Sequence, residues 1–346
     1  MKPTVHDIAR NAGVSLATVD RVLNGRPGVR PTTRERVETV IASIGYVRDL
    51  AAANLAKGRT YRFVFVLPQS NNFFMRELRQ EVEGAIVRSG AERVAIRIVQ
   101  VPPFDAPALA AALDDLRHGS KDEEPAGVAF VAVDAPEVRE AVARLARSGI
   151  PVVSLVSDLP GSARDHYTGI DNFAAGRTAG SLMGRFLGQD SEAVVAVMAG
   201  SMLLRDHRER LQGFEASVGE FYPHIRLLPV IECRDDSPTA ERLLTALMLQ
   251  HPEIAGIYSL GAGNRGLVRS LQGVLTEHRP VVIAHELTAA TRSALHEGSV
   301  DAVLSQNAAR EVRSTIRVLK ARADGLSFVE QDERIGIDIF LKDNLP

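Results

Sequence analysis

A single cysteine in 346 residues, Cys233, leaves no partner for a disulfide and too few thiols for a cysteine-built zinc site. No run approaches about 18 uninterrupted apolar residues, and the opening MKPTVHDIAR has no apolar signal core. A membrane span and export are therefore disfavoured, and the cytoplasm is the expected compartment. Catalytic signatures are scarce too: there is no His-Glu-x-x-His, no Gly-x-Ser-x-Gly and no Walker lysine motif, and the nine histidines are scattered. No enzyme activity, metal or cofactor is expected. Cys233 reads most simply as a small buried hydrophobe.

What is present is a soluble globular composition, 45% hydrophobic and 24% charged, long enough for two or three domains. The net charge of -2 hides an asymmetry. Residues 1–60 hold ten Lys/Arg against five acids, a net of +5, and the remaining 286 residues carry -7. A small basic head on an acidic body suggests a polyanion-binding module joined to something that does not bind the polyanion.

The head has the pattern of three short helices. Thr4 with Asp7 three residues on is a capping-box signature before the apolar face Val5, Ile8, Ala9, Ala12. Gly13 offers a left-handed stop, and Ser15 can cap a second helix over 16–23. Val19, Val22 and Leu23 lie on one side of that helix; Leu16, Ala17, Asp20 and Arg21 lie on the other. A third helix starts at Pro31, buries Val37, Val40, Ile41 and Ile44, and ends at Gly45. Two helices across a tight glycine turn predict a helix-turn-helix whose second helix enters the DNA major groove. Leu16 and Ala17 suit a thymine methyl, and Arg21 suits a bidentate contact to guanine.

The run TVHDIARNAGVSLATVDRVLNG followed by VRPTTRERVETVIASIGYVRDLAAANLAKGRT resembles the DNA-binding head of the lactose/galactose repressor (LacI/GalR) family across residues 4–60. The resemblance implies that Leu16, Ala17 and Arg21 read bases. It implies that Thr4, Ser15, Thr18, Asn24, Thr33 and Tyr46 contact or face phosphates. Arg34 is expected to hold DNA of any sequence. The resemblance also places a hinge helix at 48–57, with Leu55 as the residue wedged into a central base step of the minor groove. Three positions depart from the family pattern: Asp20 and Arg30 stand for serines, and Arg48 stands for a proline. Asp20 puts a carboxylate beside the DNA, to accept from a cytosine amine, to orient Arg21 or to reject other sequences.

Residues 61–346 alternate apolar, strand-like runs with amphipathic helices, the signature of βαβ units and parallel sheets covered on both faces. The expected strands are Arg62–Leu67, Ala95–Val101, Gly127–Val133, Pro151–Val156, Ala193–Met198, Ile225–Ile231, Ile254–Leu260, Val281–Ala284 and Ala302–Ser305. That number suits two lobes with a ligand cleft at the carboxyl ends of the strands. Within this region Gly261-Ala-Gly263-Asn-Arg-Gly266, with Glu286 twenty residues on, has the form of a dinucleotide fingerprint. It keeps open an NAD(P)-dependent oxidoreductase as an alternative, against a glycine-rich turn that merely packs a helix.

The body resembles, more loosely, the periplasmic sugar-binding fold carried by the same family. Ser70-Asn-Asn-Phe-Phe74 is similar to an Asn-Pro-Phe-Phe ligand element, implying a hydrogen bond from Asn72 and stacking by Phe73 or Phe74. By the same likeness Arg210 and Gln306 contact the ligand, and His285 stands where an aspartate is usual. Asp158 and Asn264 are further candidates.

The chain is thus expected to join an N-terminal all-α helix-turn-helix domain (1–46), a hinge (47–60) and an α/β two-lobed effector-binding and dimerisation domain (61–346). The expected partners are pseudo-palindromic double-stranded operator DNA, a sugar, polyol or sugar-derived effector, and a second copy of the chain. A sugar-binding receptor is a further alternative, one that leaves residues 1–60 unexplained. The tail 327–346 alternates at Ile335, Ile337 and Ile339, which reads as a strand rather than a tetramerising leucine heptad.

Overall fold

The structure, a computed structural model, describes residues 3–23, 25–46, 60–70, 72–88, 93–118, 124–188, 192–273 and 279–346. The chain divides into two compact units, Met1–Arg59 and Thr60–Pro346.

The first unit contains α1 (Val5–Ala12), α2 (Leu16–Leu23) and α3 (Pro31–Ser43). The Thr4–Asp7 capping box forms, with Thr4 N–H donating to Asp7 Oδ2 at 2.9 Å. Gly13, at φ 61°, ends α1 in the left-handed region that only glycine adopts freely. Ser15 Oγ then accepts from the Thr18 N–H at 3.2 Å and opens α2. Arg30 gives α3 no side-chain cap, and Pro31 starts it where a missing N–H is no loss. Ile8, Ala12, Val19, Val22 and Val37 form the small core.

The second unit contains two sheets. The first has strand order β2-β1-β3-β4-β5, all parallel, from β1 (Tyr61–Pro68), β2 (Val94–Val101), β3 (Gly127–Phe130), β4 (Val152–Leu155) and β5 (His166–Thr168). The second has order β12-β11-β10-β9-β6-β7, from β6 (Ala193–Ala199), β7 (Ile225–Leu227), β9 (Ile254–Ser259), β10 (Val281–His285), β11 (Ala302–Ser305) and β12 (Asp338–Phe340). β8 (Ile231–Glu232) pairs with β6, and β12 runs antiparallel to β11. Every residue of β3, β4, β6 and β11 is buried. That is why these strands read as unbroken apolar runs rather than alternating ones.

Each sheet has an apolar core on both faces. The covering helices are α4 (Phe73–Arg88), α5 (Ala106–Asp115), α6 (Pro136–Arg147), α7 (Asn172–Leu187), α8 (Arg205–Phe221), α9 (Ser237–Gln250), α10 (Asn264–Gly273), α11 (Ala289–Glu297) and α12 (Ala308–Ala323). α12 follows a strand of the second sheet but packs on the first, where Val312, Val318 and Leu319 join Phe63 and Phe65. The chain therefore passes between lobes three times: after β5, after β11 and before β12. Ile170 and Ile335 bridge two of these passages.

Two expectations need correction. The single strand over 225–231 is broken into β7 and β8, because Pro229 between them has no N–H to donate to a ladder. The three-residue β5 is too short to leave a pattern. The tail does supply a strand, β12.

Candidate functional site

On the first unit, the outer side of α2 presents Ser15, Leu16, Ala17, Asp20 and Arg21 to solvent, while Val19 and Val22 turn into the core. Leu16 is 43% exposed, an apolar side chain at a helix start with nothing over it in this unit. Thr18 is half-buried, its hydroxyl 3.0 Å from that of Ser15. Asp20 pairs with Arg26 at 3.2 Å. Arg34 donates to the Arg26 carbonyl at 3.3 Å, and Thr33 is half-buried beside it. Thr4 caps α1 and also donates to Asp7 Oδ2 at 2.7 Å, and Tyr46 packs against the small core. Asn24, Arg48, Leu55 and the whole segment 47–59 lie outside the described residues.

On the second unit, the carboxyl ends of both parallel sheets face the cleft between lobes, the usual place for ligands in open α/β sheets. A cavity of about 250 Å³ there is lined by Asn72, Phe73, Arg76, Asp235, Asn264 and Glu286, among others. That lies just below the roughly 300–1,000 Å³ typical of small-molecule pockets. Two sets of contacts join the lobes across it. Asn72 donates to Asp235 Oδ2 at 3.1 Å, and Asp134 accepts from Arg208 at 3.1 Å with Arg205 at 3.8 Å.

Arg210, in the second turn of α8, is buried beneath the cleft. Its Nε donates to Asn172 Oδ1 at 2.8 Å and its Nη1 to the Leu260 carbonyl at 2.9 Å, while Nη2 has no partner. Asn172 in turn donates to Tyr167 Oη at 3.2 Å, whose hydroxyl donates toward Val156 and Ile170 carbonyls. The interlobe passage after β5 is thereby tied to the arginine. Gln306, just past β11, donates to Glu286 Oε1 at 2.9 Å and leaves its own Oε1 unpartnered. An unpaired buried polar group costs about 1–3 kcal/mol, so these atoms await a partner.

Of the other expected ligand residues, His285 and Asp158 lie off this cavity, and Phe74 and Asn264 line it. Phe74 is largely buried in the first lobe's core, yet it lines the cavity together with Phe73. His285 is fully buried and bonded through Nε2 to Tyr258 Oη at 2.9 Å, and burial holds its imidazole well below the ordinary pKa. It is a core histidine because the last residue of β10 still obeys strand alternation. Glu286 follows at φ 69° and turns into the cleft instead. Asp158 accepts from Ser154, the Leu159 N–H and Arg164, which fills its lone pairs from within the lobe. Asn264 accepts from Ser259 at 2.8 Å and donates to the His285 carbonyl at 2.6 Å, bracing the strand ends. Cys233 is buried, and burial raises its thiol pKa to about 11.

The glycine-rich turn packs helices. A Cβ on Gly266 would lie 2.0 Å from the Ser237 carbonyl, and one on Gly261 would lie 2.8 Å from the Gly200 nitrogen. Backbone of the same lobe fills the space beside both glycines.

Three further acids lie near Arg210 and Gln306: Glu311 and Asp206 carried no sequence signal of their own, and Glu286 entered only as the acid of the dinucleotide fingerprint. Glu286 is buried, and burial lifts its carboxyl to about 7 against the pull of Arg210. Glu311, in the first turn of α12, is fully buried with neither oxygen bonded; burial, then Glu286, pushes its pKa well up. Asp206 is buried with Oδ1 unpartnered. Only their place after a strand or at a helix start hinted at them.

Residues 63–327 match the periplasmic binding protein domain family, and residues 4–49 match the lacI family of bacterial regulatory proteins. The chain belongs to the periplasmic binding protein domain family, and its residues 4–49 carry the lacI-family domain. Catabolite control protein A of Priestia megaterium is similar to this chain, 41% identical over 83 residues, or 24% of the chain and 25% of that protein. The match thus spans about a quarter of the length of that curated relative. Among solved structures, GanP, a glucose-galactose binding protein from Geobacillus stearothermophilus, superposes with a TM-score of 0.72 at 20% identity, covering 83% of this chain and 99% of that one. A solute-binding protein from Burkholderia graminis in complex with D-arabinose gives 0.71 at 21% identity, covering 82% and 96%. At these identities the likeness is one of fold. No helix among the described residues is long and apolar enough to cross a membrane.

Proposed function

We propose that this chain is a ligand-responsive DNA-binding transcriptional regulator, a cytoplasmic repressor of genes for carbohydrate or polyol uptake and catabolism. Residues 1–46 bind operator DNA, 47–60 link, and 61–346 bind the effector and pair two copies on a pseudo-palindromic site. The observation that carries this reading is the outer side of α2, where exposed Leu16 and Ala17 stand one turn from Arg21. An apolar pair followed by a guanidinium matches what a major groove displays: a thymine methyl and a guanine edge. The positive balance of residues 1–60 supports it, since phosphate neutralisation supplies most of the non-specific affinity.

Arg210, Gln306, Asn72 and Phe73 are the ligand-reading set, an arginine and two amides beside one aromatic face. Such a set reads neutral polyhydroxy compounds. The named sugars of the fold neighbours support the same class, as do the regulatory names of the relatives. The test is a mobility-shift titration of the gene's own upstream DNA at low salt, with and without a panel of sugars and polyols. A specific shift altered by one panel member is expected. No shift under any condition contradicts the reading.

A further inference from the structure

The cavity of about 250 Å³ has an arginine from each lobe among its lining residues. Arg76 belongs to the first turn of α4 on the first lobe, and Arg265 to the first turn of α10 on the second. Neither side chain has a hydrogen-bond or ion-pair partner among the described residues. By contrast, at the cleft rim Arg139 and Arg208 bond Asp134, and Arg205 bonds Glu209. Two acids line the cavity as well. Asp235 already accepts from Asn72 Nδ2 and the Ala262 N–H, and burial holds the Glu286 carboxyl toward its neutral form. Burial does the same to Glu311 beside it, so neither glutamate sets a firm negative charge against the guanidiniums. Ser237, Asn264, Ala289 and Ala290 complete much of the wall. They sit in the first turns of α9, α10 and α11, where the partial positive charge of a helix start adds to that of the arginines. An ammonium would enter this cavity beside two cations, and a neutral sugar would leave both guanidiniums to water. A carboxylate or phosphate would meet a charged, fork-shaped donor from each side.

We propose that the effector is an anionic polyhydroxy compound, a sugar acid or sugar phosphate, whose oxyanion is clamped between Arg76 of the first lobe and Arg265 of the second. The clamp draws the lobes together in the same sense as the bond from Asn72 to Asp235. This rests on the carbohydrate reading above and narrows it.

The experiment is a calorimetric and thermal-shift comparison on the full chain at neutral pH and low salt. The sugar acids are gluconate, glucuronate and galacturonate, and the sugar phosphate is glucose 6-phosphate. Their neutral counterparts are sorbitol, D-glucose and D-galactose. At least one anion binds about ten-fold or more tightly than its counterpart, and whether it is an acid or the phosphate tells which oxyanion the clamp holds. Arg76→Gln and Arg265→Gln each weaken that anion by about ten-fold, the loss of a charge-assisted bond. Both side chains are exposed, so these variants change folding little. If no anion binds more tightly than its neutral counterpart, or if either variant leaves the anion's affinity unchanged, the proposal is overturned and the carbohydrate reading stands. If nothing in the panel binds, both are overturned.

Discussion

Asn72 and Asp235 meet across the cleft: the amide Nδ2 donates to the carboxylate at 3.1 Å, joining the start of α4 on one lobe to the loop before α9 on the other. Both residues also work locally. Asn72 Oδ1 accepts from the Met75 N–H at 2.8 Å, and Asp235 Oδ1 accepts from the Ala262 N–H at 3.1 Å. The bond therefore links two already ordered segments, and little side-chain entropy is lost in making it. It couples closure of the lobes to the walls of the ligand cavity, which both residues line.

Asp235→Ala removes the acceptor and should cost about 1–2 kcal/mol of closure, the low end for a bond to a charged group at a part-exposed site. The expected result is a ligand affinity about ten-fold lower and a larger radius of gyration in small-angle scattering. An unchanged radius together with unchanged affinity would remove the latch.

On the DNA face, Arg21→Ala should lose about 1–3 kcal/mol on the specific operator and relax base preference. Arg34→Ala should weaken all sequences alike. Leu16→Ala should lower operator affinity while changing folding stability by no more than about 0.5 kcal/mol, because the side chain is exposed. Anisotropy titrations on operator and random duplexes, beside urea unfolding, separate these effects. Equal losses on both duplexes for Arg21→Ala would contradict base reading.

The head was legible in the sequence almost residue by residue. Caps, the Gly13 stop and Pro31 act locally, so the pattern and the structure agree. The strand order of the two lobes was legible only as alternation. Resemblance pointed to Arg210, Gln306 and His285, but that Glu286 rather than His285 lines the cavity could not be read from it. It turns on one backbone angle, the φ of 69° at Glu286. Glu311 was hidden for another reason: an acid in a first helical turn usually complements the dipole from the surface. Here α12 begins between the lobes and carries its first turn inside.

Glu286 should make stability depend on pH. Its folded pKa, about 7, lies above the ordinary 4.5, so the folded state binds the proton more tightly than the unfolded state. Its contribution is fully present below about pH 4.5 and is lost as pH rises toward 7, by up to about 3 kcal/mol. Arg210, Ser305, Gln306 and Glu311 face it, and all are retained in Glu286→Gln. Denaturant unfolding between pH 5 and 8, with Glu311→Gln as background, should fall for the parent and flatten for Glu286→Gln. Parallel curves would contradict the assignment.

Gly266→Ala tests the glycine-rich turn. A methyl group 2.0 Å from the Ser237 carbonyl must push α10 from α9. Overpacking of that kind costs about 1–3 kcal/mol or more. The expected outcome is a lower melting temperature with no NADH fluorescence change in either protein. Saturable NADH binding by the parent would revive the oxidoreductase alternative.

The most direct measurement is linkage between the two units. Operator affinity is titrated by anisotropy without and with a saturating cleft ligand, and ligand affinity is titrated without and with operator. Reciprocity requires the same factor both ways, about 5- to 150-fold for typical coupling. A matched factor, abolished when Arg210→Met removes the guanidinium, is the predicted result. Operator binding that no cleft ligand alters, or ligand binding that operator leaves untouched, would contradict control of the DNA-binding head by the cleft.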